Sequence, residues 1–87
     1  VGNEFKIKVG EKYNYIDLLL FNIEFNCYVV IELKVTELKK EHIGQIQVYM
    51  NYIDNNIRKL NQDKTIGIIN IQIPIAIKLL VFSPFSL

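Results

Sequence analysis

Cys27-Tyr28-Val29-Val30-Ile31-Glu32-Leu33-Lys34-Val35 is the stretch on which the fold turns. Its β-branched and aromatic residues suit a packed, pleated surface, and no Gly or Pro interrupts them, so it reads as a central strand. Two charges nevertheless sit inside it. Glu32 and Lys34 are two residues apart, so both side chains leave the strand on the same face.

Towards the N-terminus, Asn22 to Asn26 carries a turn signal, and Tyr13 to Phe21 before it is a second strand of nearly continuous apolar character. Gly10-Glu11-Lys12 is a turn, and the alternation in Glu4-Phe5-Lys6-Ile7-Lys8-Val9 predicts a short, half-exposed strand. Centring the second turn between Glu24 and Phe25 makes Asp17 the direct antiparallel partner of Glu32. Their Cβ atoms would then be about 5 Å apart. Leu19, Phe21, Tyr28 and Val30 share that face, so two carboxylates and one ammonium meet on a mostly apolar surface.

Towards the C-terminus, Thr36 reads as a helix-entry residue. Ile43, Ile46, Met50, Ile53, Ile57 and Leu60 recur at spacings of three and four, which predicts an amphipathic helix over 38–58. Asn61-Gln62-Asp63-Lys64 breaks it, and Thr65 to Asn70 is a buried strand. The order βββαβ places the chain in the α/β (α+β) class, a mixed sheet with one main helix packed on it. Beyond Asn70 the apolar tail 71–87 is atypical. Lys78 is its single charge, Pro74 and Pro84 interrupt it, and Ile71, Ile73, Ile75 and Ile77 alternate as in a strand. It is too short and broken to span a membrane.

The 87 residues suit a single domain over 1–87, and a chain opening on Val1 without a signal-peptide pattern is expected to be a piece of a longer protein. Half of the residues are apolar, which excludes a disordered tail. A net charge of +1 excludes a bulk basic field, so any nucleic-acid binding must come from a local patch. Cys27 stands alone, which excludes a disulfide framework and a Cys-rich zinc module and suits a reduced, cytoplasmic setting. Fifteen Ile and nine Lys against one Arg and one Ala mark an AT-rich coding genome, so Lys39-Lys40 and Arg58-Lys59 are read as solvated helix ends rather than phosphate contacts. His42 has no second His for a zinc pair and reads as a solvated side chain; Cys27 reads as a small core residue. Tyr49 and Tyr52 are placed by default in packing rather than in stacking on a base.

Two facing carboxylates repel, and burial makes charging either of them harder, so such a cluster requires compensation. Mg²⁺ or Mn²⁺ supplies it: Mg²⁺ takes one or two carboxylates, keeps several waters and accepts phosphate oxygens. A divalent ion also makes a water it holds a usable nucleophile near neutral pH, and Lys34 beside it would stabilise charge on a phosphoryl group. That chemistry is phosphodiester hydrolysis. The plainer reading is an ion pair of Lys34 with Asp17 or Glu32 that staples the hairpin. Gln45, off the apolar stripe of the helix and on the side of Tyr49 and Tyr52, lies early enough in it to approach the same site.

Tyr15-Ile16-Asp17-Leu18-Leu19, Val30-Ile31-Glu32-Leu33-Lys34, Gly44-Gln45 and Ile66-Gly67-Ile68-Ile69 together resemble the PD-(D/E)XK nuclease superfamily, and within it the bacterial YhcG-type PDDEXK nuclease domain. The likeness runs from Val1 to Ile69. It implies a restriction-endonuclease-like core, a Mg²⁺ cofactor and a DNA substrate, with RNA as the alternative. By this resemblance Asp17 and Glu32 are metal ligands, Lys34 is the catalytic lysine and Gln45 a supporting polar residue. The superfamily's opening helix, which often supplies another acid, has no counterpart here, and Glu4 at a strand edge is a poor substitute. The tail beyond Ile69 also departs from the family's polar turn. A second expectation, from another class, is a catalytically silent nucleic-acid-binding or protein-interaction module that keeps the fold. The greasy tail adds the expectation of a homodimer.

Overall fold

The computed structural model describes residues 4–73 and 76–83. Among these residues seven elements follow one another: β1 (Phe5–Val9), β2 (Lys12–Ile16), β3 (Leu18–Asn22), β4 (Cys27–Lys34), α1 (Lys40–Asn56), β5 (Asp63–Ile73) and β6 (Ala76–Phe82). β1 and β2 form a two-stranded antiparallel sheet, and the other strands a mixed sheet in the order β3-β4-β5-β6. The mixed α+β class, with one helix on a mixed sheet, is the one the sequence predicts and is consistent with a restriction-endonuclease-like core. The strand count is higher than βββαβ. The apolar run Tyr13 to Phe21 is divided at Asp17, and residues of the atypical tail extend β5 and form β6. The expected alternation through Ile75 and the residues from Pro84 onward fall outside the described residues.

Each connection has a local cause. Gly10, at φ +63°, opens the two-residue turn joining Val9 to Lys12. Positive φ at the first turn position and not at the second gives the II′ geometry that suits twisted hairpin strands. In the β3–β4 loop the Asn22 side chain accepts the Phe25 N–H at 2.9 Å. Asn26 adopts φ 54°, a region that Asn tolerates better than most residues. The resulting register pairs Leu19 with Val30 and Phe21 with Tyr28, as the symmetric turn predicts. The Phe21 and Tyr28 rings meet edge to face at 5.0 Å, one of the cross-strand pairs that stabilise a hairpin.

β4 and β5 are parallel, a pairing that needs a crossover, and α1 provides it. The helix begins at Lys40, later than Thr36 suggests. The N–H of Lys39 donates to Nδ1 of His42 at 3.1 Å, so His42 caps the helix instead of standing free in solvent. At the other end Asp54 accepts the Thr65 N–H at 2.9 Å and the Thr65 hydroxyl at 2.7 Å, and pairs with Arg58 at 3.3 Å. That cluster ties the end of α1 to the start of β5.

Ile46, Met50 and Ile53 of the predicted stripe are buried, together with Ile7, Ile16, Val30, Ile69 and Ile71. Tyr49 joins them at 2 % exposed, on the core side rather than outside the stripe, whereas Leu60 lies past the helix and is fully exposed. Gly67 permits the close approach of helix and sheet: a Cβ there would lie 2.6 Å from Met50 Sδ and 2.8 Å from Ile46 Cγ1. By register, Val30, Glu32 and Lys34 share the helix-side face with Ile69, Ile71 and Leu80, while Leu20, Leu33, Ile77, Leu79 and Val81 are exposed on the opposite face.

Candidate active site

On β4 the usual relation of polarity to burial is reversed. Glu32 is 4 % exposed while the adjacent Leu33 is 53 % exposed. Side-chain alternation explains the geometry, because Glu32 faces the helix and Leu33 does not, but not why an acid occupies the buried position.

Asp17 stands at the bend where the chain leaves the small sheet for the larger one. The β3–β4 ladder begins with the pair Leu18 and Ile31, so the backbone groups beyond it have no ladder partner. Side-chain carboxylates take that place. Asp17 N–H donates to Glu32 Oε2 at 3.0 Å, and Leu33 N–H donates to Asp17 Oδ2 at 2.9 Å. Each acid grips the backbone beside the other, which fixes both carboxylates across the strand pair. Hairpin symmetry places Asp17 and Glu32 face to face, and these bonds show the two residues meeting there.

One oxygen of each acid is left over. Among the described residues Glu32 Oε1 and Asp17 Oδ1 take no hydrogen bond. The fully buried side-chain polar atoms without a hydrogen bond there are Arg58 Nε, which keeps its ion pair with Asp54, and Asn70 Oδ1, so neither carboxylate oxygen is sealed from solvent. Lys34 shares the face of Glu32, yet the ion pair found within 4.0 Å among the described residues is Arg58 with Asp54. The stapling ion pair is therefore not formed, and among the described residues Lys34 has no carboxylate within that distance.

The pKa of Glu32 is raised from 4.5 to about 6. Burial is the largest cause, and the bond from Asp17 N–H opposes it by favouring the ionised form. The charge of Asp17 raises the pKa further, Lys34 lowers it, and Glu4 raises it. Glu4 thus stands nearer the site than its position at a strand edge suggests. The β1–β2 register, with Phe5 opposite Ile16, points Glu4 towards Asp17 when continued by one pair. Counting across the Gly10-Glu11 turn, as across the turn that pairs Asp17 with Glu32, would have located it from sequence. Glu4 bears on Glu32 through its charge, and among the described residues no group of three or more His, Cys, Asp or Glu could hold a metal ion.

Gln45 reaches the site indirectly. The pKa of the buried Tyr49 phenol is raised first by burial and then by the charge of Glu32, and a side-chain hydrogen bond with Gln45 opposes both. Tyr49 therefore lies between the helix amide and the acids. Its place at the fourth residue after Gln45 is the available sequence signal, since such pairs are neighbours on a helix. Cys27 is buried, and burial, followed by the charge of Asp63, raises its thiol pKa, which fits an inert core residue.

Two hard oxygen donors, each held by a backbone bond and each with a second oxygen open, fit a divalent cation that completes its shell with water and phosphate oxygens. The profile of the family described as the YhcG PDDEXK nuclease domain matches residues 1–74. The chain belongs to that family. Asp17, Glu32, Lys34 and Gln45 all lie within the matched segment, and β6 lies beyond it. The chain is also similar to the YhcG protein of Escherichia coli (strain K12), a candidate nuclease by its name, at 25 % identity over 69 residues. The match covers 79 % of this chain and 18 % of that relative, so the chain spans less than a fifth of the curated protein. No solved structure matches it. Family membership implies a nucleic-acid partner and the general use of divalent metals by PDDEXK nucleases. Among the described residues no helix is long and apolar enough to cross a membrane.

Proposed function

We propose that this chain is the catalytic core of a Mg²⁺-dependent nuclease that hydrolyses phosphodiester bonds in DNA. The observation that carries the reading is the reciprocal clamp of Asp17 and Glu32, which commits one oxygen of each acid to the backbone and leaves the other open, with Lys34 on the same face and in no ion pair among the described residues. Asp17 and Glu32 would hold the ion through those open oxygens. Once bound, Mg²⁺ supplies charge neutralisation at the phosphate and a water of lowered pKa. Lys34 is the phosphate-binding group. Its ammonium donates to a non-bridging oxygen and stabilises the negative charge that builds there as the bond to the leaving oxygen breaks. Gln45 would support the site from the helix side through Tyr49, whose phenol feels the charge of Glu32. The pKa of Glu32 keeps it half protonated near pH 6, so ion binding strengthens as the pH rises above that value. DNA as substrate and a cytoplasmic setting belong to the same proposal.

Calorimetric titration with Mg²⁺ or Mn²⁺ and nicking of a supercoiled plasmid test it together. The wild-type chain should bind one ion and nick the plasmid. Asp17→Asn should lose the ion, and Lys34→Ala should keep the ion and the fold while losing cleavage. A chain that neither binds the ion nor cleaves would be the silent binding module instead.

A further inference from the structure

Strand β6 brings something the family match does not include. Its register sets Lys78 opposite Ile71 of β5, and Ile71 is in turn the partner of Lys34 on β4. Lys34, Ile71 and Lys78 therefore form one row across three strands, on the face that also carries Glu32. Two strand spacings of about 4.8 Å separate the lysine backbones by about 10 Å. Lys78 is the single charged residue between Thr65 and Leu87, and it is exposed in a strand otherwise made of apolar residues.

A cavity of about 620 Å³ opens beside this row, lined by Glu37, Leu38, Ile71, Ile73, Lys78, Leu79 and Leu80. Five of its seven lining residues are aliphatic, and the other two are a cation and a carboxylate. That chemistry matches a single nucleotide. An adenine, cytosine or guanine base would offer two faces to Leu38 and Leu80 and an exocyclic amino group to the Glu37 carboxylate, with its phosphate towards Lys78. A base stacked in a duplex has both faces covered, so the nucleotide enters as part of a locally single strand. The flexible stems of Lys34 and Lys78 allow the two ammonium groups to reach neighbouring phosphates of that strand.

We propose that this cavity is the subsite for one nucleotide flanking the scissile phosphate, with Lys78 as its phosphate contact. The inference rests on the nuclease reading for its orientation and has its own test. Binding of a fluorescein-labelled single-stranded DNA 12-mer to the full chain is followed by anisotropy in EDTA over a range of salt. Lys78→Gln should weaken binding by about 3- to 10-fold and reduce the magnitude of the log–log salt slope by about 0.7, the value for one contact to a single strand. Lys64→Gln removes the same charge near the start of β5, at the other end of the strand, and should change neither. Leu80→Glu should weaken binding by placing a like charge near the phosphate. Equal behaviour of Lys78→Gln and Lys64→Gln, or no binding by the wild-type chain, overturns the subsite. A chain that binds through Lys78 but does not nick plasmid keeps the subsite and removes the nuclease reading. A chain that nicks plasmid, with Lys78→Gln indistinguishable from wild type in binding, removes the subsite alone.

Discussion

Replacing Glu32 by Gln separates what the site requires from what the fold prefers. A carboxyl whose folded pKa exceeds its unfolded one binds protons more tightly in the native state. Its contribution to stability is therefore complete below about pH 4.5 and is lost as the pH rises through about 6. At about 1.36 kcal/mol per pH unit, ionised Glu32 costs the metal-free native state about 2 kcal/mol at pH 8. The amide of Glu32→Gln carries no charge and keeps a carbonyl oxygen for the Asp17 N–H. The variant should accordingly be more stable than wild type by up to about 2 kcal/mol at pH 8 in EDTA, and equal to it at pH 4. Each kcal/mol corresponds to about 4–8 °C in Tm for a domain of this size. Urea denaturation of both proteins from pH 4 to pH 8 gives the difference curve directly, because the other carboxyls titrate in both. Added Mg²⁺ should stabilise wild type alone, since an ion that binds only the native state raises its stability. A flat difference curve, or a variant less stable than wild type at pH 8, refutes the argument that Glu32 is held ionised against the preference of the fold.

Two further predictions concern the frame around the site. Gly67→Ala forces a methyl against Met50 and Ile46 and should cost about 1–3 kcal/mol in urea denaturation. The double variant with Met50→Ala should cost less than the two single changes added together, and strict additivity would place the strain elsewhere. Asp54→Ala removes the acceptor of both Thr65 donors, and Thr65 is completely buried. Two unpaired donors should lower stability by about 2–4 kcal/mol, and a loss below about 1 kcal/mol would show that water replaces the carboxylate.

The reversed polarity of Glu32 and Leu33 has a consequence for how the domain works. Buried between helix and sheet, Glu32 is disfavoured in its charged form, and the clamp to Asp17 only partly offsets that. A cation bound as proposed would offset both the burial and the repulsion of Asp17. On the proposed function, affinity for the ion would draw on the same cost that burial imposes on Glu32.

Local chemistry alone determined the hairpin and its register. Asn22 and Asn26 set the turn, and once the turn is set the partner of Asp17 is Glu32 by counting. The helix was legible from the spacing of Ile46, Met50 and Ile53, and the meeting of two acids on one face followed from period-two alternation. These features depend on neighbours in the chain or on a single turn. Others depend on where separate elements come to rest. The break at Asp17 is hidden in an unbroken apolar run, because chain direction changes there through bonds to β4 rather than through a Gly or Pro. Tyr49 enters the core because β4 and β5 lie beneath that side of the helix, and His42 caps the helix because its ring folds back on Lys39. Lys78 reaches the row of Lys34 only after two strand pairings, one parallel and one antiparallel, have been made. Sequence spacing carries information along one element, and the long-range pairings that align Lys34 with Lys78 and press Tyr49 towards Glu32 exist only once the chain has closed on itself.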